Sequence, residues 1–200
     1  MNDIDNSLIL GIIGTAGRKQ AHRFMTPDNY NLMLEESKKI ISKFGFKTVV
    51  SGGAAFSDHI AVSLFNNNLV DNLILMLPDS FDIKAQQYRV GHYGNIANEL
   101  HREFSHQCQI NSLQDIQRAI ENGAIIPDKV ESSPGFLTRN SWIAETCTHL
   151  LAFTSGKALN QTVSEIGYNT EIHDYIIKDN GTKDTWRKAS QKYRIVISID

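Results

Sequence analysis

The sequence lacks the marks of several protein classes. It carries 20 Lys and Arg against 22 Asp and Glu, a formal net charge of −2, so it has none of the bulk positive charge that accompanies non-specific binding to nucleic acid or anionic membrane. Nucleic acid is therefore not the expected partner. No apolar run approaches the roughly 20 residues that cross a bilayer. The opening segment, MNDIDNS, is polar rather than basic and then apolar. These features predict no membrane partner, no signal peptide and a cytoplasmic location. The two cysteines, Cys108 and Cys147, have neither metal-ligand nor Cys-x-x-Cys spacing, which predicts buried free thiols. His92, His101 and His106 share no ligand pattern either, so no metal and no cofactor are expected. A chain of 200 residues is long enough to bury a substantial core without staples, and one domain is expected. A homo-oligomer is compatible with this composition.

What is there is a succession of buried strands and amphipathic helices. Residues 8–13 form a continuous apolar run that stops at Gly14-Thr15-Ala16-Gly17-Arg18, the pattern of a buried parallel strand entering a tight turn. Over 26–44 apolar residues recur at helical spacing, with Thr26-Pro27-Asp28 as a start and Gly45 as a stop. A second buried strand at 46–50 ends on Ser51-Gly52-Gly53; a helix is expected over 54–65 and a third strand over 73–77. This alternation predicts an α/β fold, a Rossmann-like parallel sheet with right-handed crossovers and helices on both faces. Residues 79–135 read as a less regular excursion over the strand ends, with helices at 95–106 and 112–121. A helix at 139–147, a strand at 149–153, a helix from about residue 182 and a strand at 194–199 complete the pattern. Residues 155–180 follow no clear period and read as an insertion, in which Glu165, Glu171, His173 and Asp174 either line a site or keep a loop solvated.

Two turns carry the chemistry. In Gly14-Thr15-Ala16-Gly17-Arg18 the glycines let the backbone bend sharply and bring its N–H groups close to an anion, and Arg18 adds a fork of donors matched to phosphate. An ordinary turn with a solvated arginine reads the same way. Ser51-Gly52-Gly53-Ala54 repeats the logic after the second strand, leaving a helix N-terminus open to a phosphate. Asp58 follows either as a group on that face or as a solvated acid in the first helical turn. Two such turns in adjacent crossovers lie at the carboxyl ends of the strands, where doubly wound folds bind ligands. Trp142 and Trp186 either stack on a base or pack in the core, the latter being the commoner use.

These turns, with Arg139-Asn140 followed by Ile143-Ala144 and with Gly181-Thr182 followed by Asp184-Thr185, resemble in order the successive motifs of the SLOG superfamily. That superfamily includes the Smf/DprA DNA-processing proteins, the LOG phosphoribohydrolases and sensor domains for nucleotide-derived signals. The resemblance implies that Arg139 meets a phosphate while Asn140 caps the helix or contacts the ligand. It implies further that Gly181 and Thr182 open a last phosphate-facing helix. LOG enzymes carry a late Pro-Gly-Gly-x-Gly-Thr-x-x-Glu motif whose glutamate takes part in glycosidic cleavage. Here the Pro-Gly-Gly is missing and Thr185 stands at the glutamate position. Asp184, one residue earlier, points about 100° away around a helix.

The expected function is therefore binding of a nucleotide or nucleotide-derived small molecule, as sensor, sequestering protein or carrier. The alternative is a LOG-related nucleotide hydrolase in which Asp58, Glu145 or Asp184 replaces the missing acid. The expected ligand-binding residues are Gly14, Thr15, Gly17, Arg18, Ser51, Gly52, Gly53, Ala54, Asp58, Arg139, Asn140, Gly181 and Thr182. On this reading Gly53→Asp removes binding and leaves the fold largely intact, because it places a negative charge where an anion sits.

Overall fold

A computed structural model describes residues 8–155, 164–166, 177, 180–190 and 192–199. Glu171, His173 and Asp174 of the expected insertion lie outside the described residues. Strand β1 (Ile9–Gly14) leads through a short 3-10 segment (Lys19–Phe24) to helix α1 (Pro27–Phe44), then β2 (Thr48–Ser51), α2 (His59–Asn66) and β3 (Asn72–Leu75). A small antiparallel hairpin, β4 (Phe81–Asp82) and β5 (Gln87–Tyr88), precedes α3 (His92–Cys108) and α4 (Ser112–Glu121). The chain ends in α5 (Gly135–Thr146), β6 (His149–Thr154), β7 (Ser164–Ile166), α6 (Asn180–Lys188) and β8 (Tyr193–Ser198).

The main sheet has the order β3-β2-β1-β6-β8-β7. Its first five strands are parallel and β7 runs antiparallel along β8. The chain is thus an α/β protein with a Rossmann-like sheet. From β1 it builds outward through β2 and β3, then returns to the other side of β1 to lay down β6 and β8. The order reverses between β1 and β6, which makes that crevice the topological switch point.

Alternation along the central strands explains why helices cover both faces. Leu10 and Ile12 of β1 join the core beneath α1, α2, α3 and α4, with Met33, Ile60, Phe104 and Ile116 among its members. Ile9 and Ile13 turn the other way, into a second core with Ile143 and Cys147 near α5 and with Trp186 of α6. Gly11 shares that second face, where an added Cβ would come within 2.9 Å of Leu150 and 3.0 Å of Cys147, so its missing side chain sets how closely α5 approaches the sheet. Both cysteines are free and buried; burial pushes each thiol up to about 11, which keeps them unreactive.

Helix α1 begins and ends as its sequence predicts. Thr26 Oγ1 accepts the Asn29 N–H at 3.2 Å, Pro27 occupies the first turn and Gly45 closes the helix at φ 72°. Other bounds shift. Residues 54–58 form a turn in which buried Phe56 has φ 65°, so α2 starts only at His59. Helix α5 starts at Gly135, one turn before the expected 139, because the Gly135 N–H is drawn to the Pro78 carbonyl at 3.0 Å. The short β7 falls inside the segment that shows no period, since three residues are too few to display one.

The excursion at 79–135 widens the first helical layer and braces the second turn. Tyr88 Oη donates to the Gly53 carbonyl at 2.7 Å, and His101 Nε2 reaches the same oxygen at 3.0 Å. A carbonyl only accepts, so Nε2 carries the proton, and unprotonated Nδ1 faces Ser112 Oγ 3.0 Å away, a hydroxyl that also donates to the His101 carbonyl at 3.1 Å. Ser105 Oγ lies 2.8 Å beyond. His59, also fully buried, packs edge-on to the His101 ring with centroids 6.3 Å apart.

This brace makes stability depend on pH. Burial pulls His101 from the ordinary 6.5 down to about 4, opposed by its bond to Gly53 and aided by the Arg139 charge. Burial, with a smaller contribution from His101, also holds His59 well below 6.5. The unfolded chain therefore takes up protons before the folded one, and stability falls as pH drops from about 6.5 towards 4. His101 alone contributes about 3 kcal/mol over that window. Urea unfolding at pH 7.5, 6, 5 and 4.5 is expected to give steadily lower midpoints, with a shallower decline for His101→Gln. A flat profile in the unmodified protein would refute this account.

Candidate functional site

The site assembles where β1 and β2 end on the same edge of the sheet, since Ile12 pairs with Ser51 in parallel register. At Gly14 an added Cβ would meet the Phe153 carbonyl and Ser57 at 2.5 Å, so only glycine lets the chain leave the strand here. The turn is held internally. Thr15 N–H donates to the Phe153 carbonyl at 3.1 Å, and Thr15 Oγ1 accepts the Gly17 N–H at 3.1 Å. In the second turn Ser51 Oγ donates to the Asp58 carbonyl at 2.9 Å.

Asp58 and Arg139 tie these turns together. Asp58 Oδ1 accepts the Gly14 N–H at 3.1 Å, and Arg139 Nη2 lies 3.7 Å from Oδ2. Arg139 Nη1 donates to the Gly52 carbonyl at 2.9 Å. Both side chains are buried, Asp58 at 4% and Arg139 at 8% exposure. Gly52 makes room for them, because a Cβ there would come within 2.8 Å of both the guanidinium and the carboxylate. Asp58 thus sits in the position just before α2, buried and paired, and is not a solvated acid in a helical turn.

Above this tie lies a cavity of about 220 Å³. From the first two turns, Gly14, Arg18, Ala54 and Asp58 line it. Helix α5 contributes Phe136, Leu137, Arg139 and Asn140, and α6 contributes Gly181, Thr182 and Thr185. Each of these helices feeds the parallel strand after it, so both begin at the carboxyl edge of the sheet, where the positive end of the helix dipole favours an anion. The Arg18 and Arg139 guanidinium carbons each lie 5.2 Å from the centre of the Phe136 ring, so two cations converge on one wall.

Eight of the expected binding residues therefore border one cavity: Gly14, Arg18, Ala54, Asp58, Arg139, Asn140, Gly181 and Thr182. Thr15, Gly17, Ser51, Gly52 and Gly53 shape the turns behind it and do not line it. Gly53→Asp cannot serve as a clean probe. Gly53 has φ 60°, and a Cβ would meet Leu77 at 2.4 Å, so the substitution strains the fold itself. Asn140 is no cap, because it lies in the second turn of α5. Glu145 is exposed and lines no part of the cavity, and Asp184 faces Lys188 Nζ at 2.7 Å. The tryptophans are structural: Trp186 is fully buried, and Trp142 is partly buried beneath Lys129 Nζ at 4.4 Å. Among the described residues no group of His, Cys, Asp or Glu side chains is placed to hold a metal ion.

Phe136, Leu137 and Leu100 are lining residues that the sequence reading missed. Phe136 and Leu137 carried a usable signal, since each lies three residues before Arg139 or Asn140 and shares their helix face once α5 is extended by a turn. Leu100, on α3, carried none.

In comparisons with known proteins, the chain is 30% identical over 198 residues, covering 95% of each chain, to "Uncharacterized protein R261" of Acanthamoeba polyphaga mimivirus. No family model matches the chain, and no solved structure matches it.

The Asp58–Arg139 tie generates a stability test. Arg139→Met leaves a buried carboxylate and the Gly52 carbonyl without their guanidinium, a change that costs about 3–5 kcal/mol. Arg18 is exposed, and Arg18→Met is expected to alter stability by about 0.5 kcal/mol or less. Urea unfolding of the two variants separates these expectations, and equal losses would contradict the assignment.

Proposed function

The chain belongs to one family with that mimivirus protein, and we propose that its cavity binds a nucleotide or nucleotide-derived ligand in the manner of the SLOG superfamily whose motifs it resembles. The observation that carries this reading is the convergence of Arg18, Arg139 and the starts of α5 and α6 on one cavity at the switch point of the sheet. Fixed N–H groups and guanidinium forks are the means by which proteins hold phosphate. Arg139 is engaged with Gly52 and Asp58, so exposed Arg18 is the cation that closes on the anion. Phe136 and Leu137 offer apolar surface to a sugar or base.

Binding without turnover fits the carboxylates. Thr185 lines the cavity at the position where LOG enzymes carry their glutamate, and its hydroxyl donates back to the Gly181 carbonyl at 3.3 Å. Asp184 is occupied by Lys188, and Glu145 lies outside. Asp58 is the carboxylate that borders the cavity among the described residues. It supports the second reading, a hydrolase, yet it already accepts from Gly14 and faces Arg139.

Titration calorimetry with nucleoside monophosphates and ADP-ribose tests the proposal. At least one is expected to bind, and Arg18→Ala to weaken it about tenfold or more without changing the unfolding midpoint, as befits loss of a charge-assisted hydrogen bond. Failure of the whole panel to bind at millimolar concentration would end the reading. Turnover is measured separately, as free base released from the monophosphates over hours. Little release is expected, because a positioned acid or base contributes about 10²–10⁴-fold in rate. Rapid release that a folded Asp58→Asn variant loses would favour the hydrolase.

A further inference from the structure

Asn140 is 4% exposed and borders the cavity. Its Nδ2 lies 3.3 Å from the Gly181 carbonyl and 3.2 Å from Asp184 Oδ2. Both partners are acceptors. Gly181 presents a backbone carbonyl, and Asp184 is a carboxylate paired with Lys188 Nζ, which itself also reaches the Leu137 carbonyl at 3.2 Å. An amide can be turned either way about its last torsion, but only its nitrogen end can donate to two acceptors. Both Asn140 hydrogens are therefore spent on α6, and the orientation of the amide is fixed by chemistry. Its Oδ1 is left as a pure acceptor, with no donor among the described residues.

From this we infer that Asn140 is a specificity-determining residue that presents its amide oxygen to the ligand and selects one carrying a hydroxyl donor, such as a sugar hydroxyl, beside its anionic group. The Asp184–Lys188 pair acts as a positioning device that holds the amide in this sense. The inference rests on the proposed nucleotide pocket and refines it. An acceptor repels phosphate oxygens and leaves them to Arg18 and the helix starts, while a hydroxyl satisfies it. A buried acceptor facing a ligand that lacks the donor is left unpaired, which is how a polar site rejects a close analogue. The same geometry corrects the expectation that Asn140 caps its helix: the side chain bridges α5 to α6.

The test compares the four ribonucleoside 5′-monophosphates with their 2′,3′-dideoxy counterparts by titration calorimetry, on the unmodified chain, Asn140→Leu and Asp184→Ala. The unmodified chain is expected to prefer the ribose form about tenfold or more. Asn140→Leu should lose most of that preference while still binding the dideoxy form. In Asp184→Ala one of the two acceptors that orient the amide is gone and the Gly181 carbonyl alone holds it, so the preference should shrink although Asn140 remains. Thermal unfolding of both variants checks that they are folded, and Asp184, on the helix surface, keeps the test decisive should Asn140→Leu fail to fold. Equal affinity of the unmodified chain for ribose and dideoxy forms would overturn the role of Asn140 and leave the phosphate pocket standing. An unaltered preference in Asp184→Ala would overturn the positioning role. If none of the nucleotides binds, the pocket reading fails and this inference with it.

Discussion

The Asp58 carboxylate stands where three segments distant in sequence meet: the end of β1, the turn after β2 and the second turn of α5. One oxygen accepts the Gly14 N–H and the other faces a guanidinium that also grips the Gly52 carbonyl. A buried charge left alone is costly, so each partner constrains the others. Gly14 and Gly52 follow from this arrangement, because a Cβ at either would enter the space that the tie or its neighbours occupy. The cavity inherits its floor from the same contacts.

Around the tie, polar side chains are used to hold backbone. Tyr88 and His101, from the excursion after β3, both bond the Gly53 carbonyl, and Thr15 closes its own turn. The glycine-rich turns are thus held in place and largely satisfied, which on the proposed reading lets them meet an anion without first being ordered. In this protein the turns supply shape, while the larger side chains that line the cavity come mainly from Arg18 and from α5 and α6.

The two final helices differ from the turns in what they offer. Helix α5 brings an aromatic ring flanked by two guanidiniums, whereas α6 brings small polar residues and locks Asn140 through Gly181 and Asp184. A threonine at the inward position 185 and an aspartate turned towards Lys188 at 184 place carboxylate charge beside the cavity rather than in it.

Much of the fold was legible in the sequence because it rests on local rules. Apolar runs ending in glycine marked β1 and β2, and a Thr-Pro start with a Gly stop bounded α1. Their alternation specified a parallel α/β sheet and put two glycine turns on one edge. The sequence also named most of the residues that border the cavity. It did not determine that Asp58 is buried and paired, that Asn140 bridges two helices, that α5 begins at Gly135, or that Phe136, Leu137 and Leu100 complete the wall. Those facts depend on partners 41 to 87 positions away, such as Gly181 for Asn140 and Gly52 for Arg139. Periodicity and turn chemistry are properties of neighbouring residues, whereas the pairing of a buried polar group is decided only when packing brings distant segments within hydrogen-bond reach.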